Sequence, residues 1–398
     1  MTLWTKLWAS ATPYGAGGNF SDFVGLGTSS GMNVTPDSAL KLSTVFACVR
    51  LISETIAALP LVVYQRRADG GRVEATNHPL YDLLHRAPNN QQTAMEFRGM
   101  LGAHAMLRGN GYAQIVPGDR GFADQLIPLH PDQVMPETLS DGSLRYQVQG
   151  LRRPLNDDEM LHLKGMSFDG KTGVSVVTYM RESVGLGLAA ERYGARFFGN
   201  GAQPGGVLKK TDGKSLSPEA SKRVKSSWED AHTGENQHRI AVLEEGLEYQ
   251  AIGLSNKDSQ FIELREHQAE AIAGQWFGVP PHMVGLTSKA TSWGSGIEQM
   301  GIGFVVYTLL PWLKRWEQAI SRDLIIAPSL YFVEHVVAAL LRGDTAARYA
   351  AYAIGRQWGW LSINDVRRLE NMNPIPGGDV YNMSDTVGTS AGAPAALA

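Results

Sequence analysis

The segment GMSFDGKT, Gly165 to Thr172, matches the pattern G-x-x-x-x-G-K-[ST], in which backbone N–H groups and a lysine bind nucleotide phosphates. The strand-like segment MLHLK precedes it, as such a loop requires. A phosphate loop must also deliver its lysine and threonine into the first turn of a helix, whereas here the run GVSVV follows. Asp169 would also bring a carboxylate close to the phosphates. The pattern therefore favours an Asp-Gly turn between a strand and a helix.

A nucleotide-binding enzyme that uses GMSFDGKT stays open as the alternative function. Such enzymes also have a Walker B motif, an apolar strand that ends in an acidic residue. RIAVLEE, an apolar segment that ends in Glu244 and Glu245, is a candidate for it. The βαβ units that should connect the two segments are absent from the pattern of elements.

Two further glycine motifs occur in segments whose predicted structure does not fit the function of the motif. GLGLAA, Gly185 to Ala190, fits a dinucleotide-binding motif but lies inside a helical pattern instead of a strand-to-helix turn. GTSSG, Gly27 to Gly31, fits the motif around a hydrolase serine but lies in a segment that cannot hold the strained turn this serine needs. Glycine makes up 44 of 398 residues, above the usual level of about 7%, and such chains produce glycine motifs by chance.

Cysteine and histidine give no reactive centre either. Cys48 is the only cysteine, which excludes a disulfide within the chain and a zinc site built on paired cysteines, and it indicates a reducing compartment. It lies mid-helix among apolar residues, as a small core residue would. The ten histidines contain no H-E-x-x-H, and His78 and His130 each precede a proline in a turn-like context. We therefore predict no catalytic residue, no metal site and no cofactor.

The composition is that of a folded protein without a surplus of positive charge. Apolar residues make up 43% and charged residues 19%, and 36 Lys and Arg oppose 39 Asp and Glu to give a net charge of -3. A protein that coats nucleic acid needs a cationic surplus on the contacting face.

We expect no signal peptide. The apolar stretch from Met300 to Leu313 is shorter than the roughly 20 residues that cross a membrane and fits a buried helix.

In the first part of the chain, the predicted helices and strands are short, and the two kinds of element are mixed along the sequence. Apolar residues from Leu42 to Leu59 have helical spacing, and Pro60 ends the helix. LVVYQRR and RVEA predict a hairpin, and two more helices follow in NHPLYDLLHRAPN and TAMEFRGMLGAHAMLRG. YAQIVPG, ADQLIPLHP and LRYQVQG predict strands. This order predicts an α+β fold instead of a doubly wound parallel sheet.

The second part predicts a stalk of two long helices with a small α/β insert between them. A helix from about Thr178 to Phe198 is followed by the strand GGVLKK, the helix SPEASKRVKSSWEDAHT, two strands in RIAVLEEGLEYQAIG and the helix SQFIELREHQAEAIAGQWFG. This last helix has two sides. Its packing side is predicted to carry Phe261, Leu264, Ile272 and Trp276, and its acidic side Glu263, Glu266 and Glu270.

Two non-catalytic surfaces remain as candidates. The insert is the most basic window of the chain, and it is either a solvated face or a contact for an acidic partner or DNA. Its basic residues include Lys209, Lys210, Lys222, Arg223 and Lys225. The polar loop LTSKATSWGSG between two long helices is either a plain connection or a moving part, and it contains Lys289, Thr291, Ser292 and Trp293.

The last part is predicted to be helical. A helix of unusual length runs from Ile297 to about Ile325 and is kinked at Pro311, which deletes one backbone hydrogen bond. The segment VVAALLRGDTAARYAAYAIGRQWGWLSINDVRRLENM is helical throughout, and Ser362 with Asp365 predicts a capping box for its final helix.

Five segments in the same order resemble the portal protein family of tailed bacteriophages, in the compact form found in many siphoviruses. They are STVFACVRLISETIAALPLVVY, HPLYDLLHRAPN, GLGLAAERYGARFFGNGAQPGGVL, FIELREHQAEAIAGQWFGVPPHMVG and WGWLSINDVRRLENMNPIPGGD. None is a catalytic signature, but five in order make chance similarity improbable. The resemblance covers about Ala39 to Asp379.

The resemblance implies a ring, usually of twelve subunits, at one capsid vertex. Double-stranded DNA enters through this ring, driven by the terminase large subunit, and later leaves by the same channel. The resemblance also implies contacts with the major capsid protein and with head-completion or adaptor proteins, and no contact with a membrane. It implies a place in the virion after assembly in the host cytoplasm. ATP would then be used by a separate motor.

Transferred onto this chain, the regions of the family divide it into nine parts. These are a flexible N-terminal arm (1–34), a wing (35–176), stem helix 1 (177–200), a clip (201–254), stem helix 2 (255–279), a tunnel loop (280–296), a long kinked wing helix (297–328), a helical crown (329–376) and a flexible tail (377–398).

The resemblance also gives the candidate surfaces their expected roles. The loop residues Lys289, Thr291, Ser292 and Trp293 would face DNA, and the basic residues of the insert would contact terminase or an adaptor. We expect the acidic side of the second stem helix to face the channel axis, because a channel lined with carboxylates does not bind the DNA backbone.

Overall fold

The computed structural model describes residues 27–118, 121–199, 206–210, 217–232, 247–251, 258–287, 295–337, 345–370 and 372–381. The chain divides into two units, Met1–His335 and Val336–Ala398. Helices and antiparallel strands occur together in the described residues, which confirms the predicted α+β class.

The first unit contains most of the described helices and all the described strands. Its helices are α1 (Pro36–Ala39), α2 (Ser43–Ala58), α3 (Pro79–His85), α4 (Ala94–Arg108), α5 (Val176–Tyr179), α6 (Arg181–Gly199), α7 (Pro218–His232), α8 (Asp258–Ala271), α9 (Ser295–Gly303) and α10 (Leu310–Asp323). Its strands are β1 (Leu61–Arg66), β2 (Arg72–Glu74), β3 (Asn110–Pro117), β4 (Ala123–Leu129), β5 (Val134–Thr138), β6 (Leu144–Val148), β7 (Leu155–Asn156), β8 (Met160–Lys164), β9 (Gly206–Lys210), β10 (Leu247–Ala251) and β11 (Tyr331–His335).

The strands form four small antiparallel sheets within the described residues. β1 lies between β2 and β11, β3 between β4 and β8, and β6 between β5 and β7, while β9 pairs with β10. The predicted hairpin of β1 and β2 is confirmed. The edge strand β5 was not predicted, and it contains Pro136, a residue that sheets tolerate at their edges.

Strand β11 corrects the sequence analysis, which assigned its residues to the helical last part of the chain. Leu61 lies opposite His335, and Gln65 lies opposite Tyr331. The segment is only five residues long, and its β structure depends on a partner strand near the other end of the unit. A local pattern could not reveal that pairing.

Helix α2 packs against helix α4 through a face with helical spacing. Val45, Val49, Ile52 and Ile56 are buried, as predicted, whereas Phe46 lies at the edge of this face and is 51% exposed. Helix α4 begins with a capping box, in which Thr93 and Glu96 each accept a hydrogen bond from the other's backbone N–H. Helix α4 also packs against strands β3 and β8.

A buried polar network holds the segment after GMSFDGKT against strands β3 and β8. Asn110 accepts a hydrogen bond from the backbone N–H of Gly173 at 2.7 Å and donates to its carbonyl oxygen at 2.9 Å. His162 lies 2.8 Å from Asn110 Oδ1 through Nε2 and 3.1 Å from the Tyr146 hydroxyl through Nδ1. Burial holds the pKa of His162 well below its usual range. This neutral histidine has a structural role.

The predicted long helix is confirmed and contains a π-helical turn. Helix α9, the π turn Phe304–Leu309 and helix α10 follow one another without a break. Pro311 lies two residues after the end of this turn, and its missing N–H removes one helical hydrogen bond, which fits the irregular segment before it. The stretch Met300 to Leu313 is buried on one side only, because Val306 and Tyr307 are 43% and 82% exposed. The predicted buried helix is therefore buried along one face only.

The second unit contains helices α11 (Thr345–Gln357) and α12 (Ile363–Leu369). The predicted capping box at the start of α12 is confirmed, since Ser362 Oγ accepts from Asp365 N at 3.0 Å and Asp365 Oδ2 accepts from Ser362 N at 2.9 Å. Glu370 joins the two helices by pairing with Arg348 at 2.7 Å and accepting a hydrogen bond from Tyr352 at 2.9 Å.

Candidate functional site

Helices α6 and α8, the two long helices predicted as a stalk, pack against each other in the first unit. Gln268 Nε2 donates to the carbonyl oxygen of Ser183 at 2.8 Å, and Arg265 lies 3.8 Å from Glu191. The predicted first stalk helix is interrupted at Met180, which separates α5 from α6. The long helix α6 therefore begins at Arg181 instead of near Thr178.

The predicted acidic residues of α8 lie on one side of the helix, but Glu266 also lines an apolar groove together with Leu264 and Ile272 of the predicted packing side. Glu263, Glu266 and Glu270 follow one another at spacings of three and four residues, which places them on one side of the helix. The side chain of Glu263 is exposed, and those of Glu266 and Glu270 are half-buried. Three carboxylates this close together create a local negative potential.

The packing side of α8 is only partly as predicted. Ile272 is buried, but Leu264 is 42% and Trp276 36% exposed. A π turn, Ile272–Trp276, replaces the last turn of the helix and changes the angle between successive residues, which moves Trp276 off the packing side. The side chain of Phe261 lies outside the described residues.

An apolar groove between α6 and α8 was not predicted from the sequence. It has a volume of about 420 Å³, and Leu42 and Leu286 also line it. The exposed apolar side chains along it are Leu186, Tyr193 and Leu264. Small residues on one face of α6 open this space, and the spacing of Gly187, Ala190 and Gly194 was the signal that could have identified it.

The predicted tunnel-loop residues Lys289, Thr291, Ser292 and Trp293 lie outside the described residues. Each flank of the loop carries one of the two π turns. A hydrogen bond of 2.6 Å from Thr308 Oγ1 to the carbonyl oxygen of Gly278 joins these flanks. Gly278 has a φ of 64°, and a Cβ atom there would lie 2.8 Å from the Thr308 hydroxyl. The close approach of the two flanks therefore depends on a glycine.

The basic window is present on helix α7 and strand β9. The side chains of Lys222, Arg223 and Lys225 are exposed on α7. On the backbone of the strand pair, Lys209 lies opposite Glu248 of β10, a pairing of opposite charges that the sequence analysis did not anticipate. The side chains of Lys209 and Lys210 lie outside the described residues.

The segment GMSFDGKT forms the predicted Asp-Gly turn between strand β8 and helix α5. The carboxylate of Asp169 accepts hydrogen bonds from the backbone N–H groups of Lys171 and Thr172, both at 2.8 Å, and from the Thr172 hydroxyl at 2.9 Å. Gly170 takes the left-handed conformation with a φ of 72°. The amino group of Lys171 lies 3.4 Å from the Thr138 hydroxyl. The N–H groups that would bind a phosphate are thus occupied by the turn itself.

The remaining polar candidates have structural roles. Cys48 is buried, and burial raises the pKa of its thiol to about 12, so it is not a thiolate nucleophile at neutral pH. His78 and His130 each accept a backbone N–H through Nδ1 at the start of a helical segment, at 3.2 Å and 3.3 Å.

In the described parts of the chain, no group of three or more His, Cys, Asp or Glu side chains is arranged to hold a metal ion. Nor does any helix there combine the length and hydropathy that crossing a membrane requires.

Comparisons with known proteins agree with this picture of long helices and non-catalytic surfaces. The family model for phage portal proteins matches residues 43–371. The portal protein of Enterobacteria phage HK97 is 36% identical over 352 residues, which cover 87% of this chain and 82% of that protein. The probable portal protein of Streptomyces phage phiC31 is 35% identical over 382 residues, which cover 89% of this chain and 80% of that protein.

A solved structure shows the same likeness. A chain in the neck of an empty gene transfer agent particle, computed with C6 symmetry, aligns with a TM-score of 0.58 and 26% identity. The alignment covers 83% of this chain and 90% of that chain.

These features define a structural component of a phage-like particle. The chain belongs to the phage portal protein family, as its sequence resemblance implied. The family is structural, and the chain has a portal or connector role. Nothing in the described site or in the relatives favours the alternative of a nucleotide-binding enzyme.

Proposed function

We propose that this chain forms a ring-shaped channel at one capsid vertex, through which double-stranded DNA is packaged by terminase and later ejected. The observation that carries this proposal is the similarity to two phage portal proteins at 36% and 35% identity over most of both chains. The ring would also be the platform on which the tail or neck attaches.

The symmetry of the similar neck structure supports a ring. C6 symmetry requires copies of a chain to repeat around one axis, and twelve copies are compatible with it. Exposed apolar side chains also support contacts between subunits, since monomeric proteins rarely expose several large apolar side chains close together. They include Val306 and Tyr307 on the long helix and Tyr193 and Leu264 beside the groove.

We assign the regions of the portal fold to the described elements as follows. Residues 35–176 with the long helix of α9 and α10 form the wing, α6 and α8 form the stem, and residues 201–254 form the clip. The second unit, with α11 and α12, contains the crown. The N-terminal arm and the C-terminal tail lie at the two ends of the chain.

Charge supports the orientation of the stem. If the side of α8 that carries Glu263, Glu266 and Glu270 faces the channel axis, DNA passes a surface that repels its phosphates and does not retain it. The net charge of -3 has the same sign.

The tunnel loop would be the point at which the channel touches DNA. We propose that Lys289 and Trp293 contact the DNA backbone from residues 280–296. Replacing both by alanine should lower the amount of DNA retained in particles, and normal packaging and retention by this variant would oppose the proposal.

The proposed partners are the terminase large subunit, the major capsid protein and head-completion or adaptor proteins. The basic residues Lys209, Lys210, Lys222, Arg223 and Lys225 of the clip would contact terminase or an adaptor. We place the assembled chain in the virion, at the capsid vertex, after assembly in the host cytoplasm.

Imaging of the purified protein tests the ring. Negative-stain electron microscopy should show rings with a central hole, and mass measurement should give a multiple of the chain mass near twelve. A stable monomer or small dimer at micromolar concentration would contradict the proposal. Particles made without this chain should contain no packaged DNA.

A further inference from the structure

The apolar groove between α6 and α8 lies beside the point where the described chain begins. Small residues of α6 form part of its wall, and the exposed side chains of Leu186 and Leu264 lie along it. Proteins rarely leave several large apolar side chains exposed close together, and such a patch usually contacts another segment or molecule. The first described residues indicate which segment can reach this groove.

Residues 27–33 pack against the first turns of α6. The backbone N–H of Ser29 donates to Glu182 Oε2 at 3.1 Å. A Cβ atom on Gly185 would lie 2.6 Å from Thr28 Oγ1, so the absence of a side chain at this glycine permits the close contact. These contacts hold the beginning of the described chain at the start of α6.

The groove begins on α6 directly after this contact. Leu42 and Gly187 both line it, and a Cβ atom on Gly187 would lie 3.0 Å from the Leu42 side chain. Gly194 lines the groove farther along the helix. Because an α-helix rises about 1.5 Å per residue, Gly194 lies about 14 Å from Gly185 along the helix axis. The chain before Gly27 therefore starts beside one end of a groove of about this length.

The segment NFSDFVGL, Asn19 to Leu26, has the length and the apolar residues to cover the groove. Residues 1–26 lie outside the described residues, so the argument rests on their sequence and on where they join the fold. An extended chain spans up to about 3.5 Å per residue, so Phe23 reaches about 18 Å and Phe20 about 28 Å from Thr28. Each aromatic side chain that is buried removes about 150–250 Å² of surface from water.

A short tether favours this segment over an occupant that arrives from solution. Linking a segment to its site raises its effective concentration to the millimolar range. We propose that Phe20 and Phe23 occupy the groove between α6 and α8 of their own chain. The segment would cover Leu186 and Leu264 and would hold the two helices against each other.

This occupant changes which apolar side chains are available to a second subunit. Tyr193 and Leu264 would contact the segment, whereas Val306 and Tyr307 of the long helix would remain for contacts between subunits. The inference concerns contacts within one chain, so it depends neither on the ring nor on the passage of DNA.

Disulfide formation in the full-length protein tests the position of Phe23. Cys48 is the only cysteine and is buried, so it should not compete with introduced cysteines. Ala190 lines the groove, and the pair Phe23→Cys and Ala190→Cys should form a disulfide within one chain when oxidised glutathione is added. A chain with this bond keeps the monomer mass on a non-reducing denaturing gel, and digestion gives one cross-linked peptide that contains both cysteines.

Ala195 provides a matched control on the same helix. It is an exposed alanine outside the groove, and it also lies within reach of the tether. Phe23→Cys with Ala195→Cys should therefore cross-link at least about tenfold more slowly, because only the groove would hold the segment in place. Equal rates for the two pairs would contradict the proposal. A disulfide between two chains, at twice the monomer mass, would show that a neighbouring copy supplies the segment and would overturn it.

Replacing the two rings tests what covers the groove. Phe20→Ser with Phe23→Ser should raise the binding of an apolar fluorescent dye at least about twofold, because the apolar side chains of the groove become accessible. The control Trp4→Ser with Trp8→Ser removes two larger aromatic residues from the same end of the chain and should leave dye binding unchanged. Equal dye binding in wild type and in the double phenylalanine variant would show that these rings do not cover the groove.

Discussion

Two buried histidines and one half-buried histidine of the first unit are kept neutral by their surroundings. Burial is the main cause of the lowered pKa at His104, His162 and His335. At His104 the nearby charges of His130 and Arg108 act in the same direction, and the pKa falls to about 4. Its Nδ1 atom is buried and has no hydrogen-bond partner among the described residues.

His104 should therefore make stability depend on pH. In the unfolded chain its pKa returns to about 6.5, so between pH 6.5 and 4 the unfolded state binds more protons than the folded state. The free energy of unfolding should fall as the pH falls through this window. His104→Phe should reduce that loss and should not lower stability at pH 7.

Urea unfolding at several pH values between 4 and 7 measures this effect. The exposed His267 provides a control, because His267→Gln should leave the slope unchanged. An identical pH slope in wild type and His104→Phe would show that His104 does not cause the dependence.

At the scale of elements, three glycines bring the end of α4 against the loop that follows β8. Gly109 ends α4 in the left-handed conformation with a φ of 80°, and its carbonyl oxygen accepts the N–H of Gly165 at 2.7 Å. A Cβ atom on Gly173 would collide with that same carbonyl oxygen. The glycine excess of the chain is thus used in part for backbone contact.

Gly173→Ala should destabilise the protein strongly. The added methyl group meets backbone atoms that cannot move aside, so we expect a loss of about 3 kcal/mol in the free energy of unfolding. Gly301→Ala is the matched control, because a Cβ there has open space within helix α9 and alanine favours a helix. Equal stability of the two variants in urea unfolding would contradict the close contact.

The basic helix α7 permits a test of docking. Reversing Lys222, Arg223 and Lys225 to glutamate should weaken binding to the terminase large subunit at least about tenfold, because attraction between opposite charges would become repulsion. Surface plasmon resonance at two salt concentrations measures the affinity. Reversal of the exposed Lys41 and Arg50 should leave it unchanged. Unchanged affinity in the α7 variant would remove this helix from the contact.

At the scale of the whole molecule, the channel-facing role that we propose for the acidic side of α8 requires an assembled ring. Reversing Glu263, Glu266 and Glu270 to lysine should leave rings intact and reduce the amount of DNA packaged, since phosphates would bind to the channel wall. The measurement is DNA protected from nuclease in assembled particles.

A control of equal charge separates the channel from the net charge. Lysine at the exposed positions Glu54, Glu74 and Asp158 changes the net charge by the same amount and should leave packaging unchanged. A ring structure in which all three carboxylates of α8 lie at subunit contacts would contradict the proposed orientation.

Features that depend on a few neighbouring residues were predictable from the sequence. The Asp-Gly turn of GMSFDGKT follows from hydrogen bonds within four residues of Asp169, and the capping box of Ser362 and Asp365 spans only three. Helix α2 follows from the spacing of its apolar residues and from Pro60. Together with five segments in order, these local signals determined the α+β class and the portal family.

Only the tertiary structure decided the features that join distant parts of the chain. The pairing of β1 with β11, the contact of Thr308 with Gly278 and the groove between α6 and α8 each depend on residues far apart in sequence. Helical spacing predicted that Leu264 and Trp276 would pack, but it cannot tell which face finds a partner or where a π turn changes that face. Local patterns report the preferences of neighbouring residues, whereas packing and burial are set by whatever the fold brings against them.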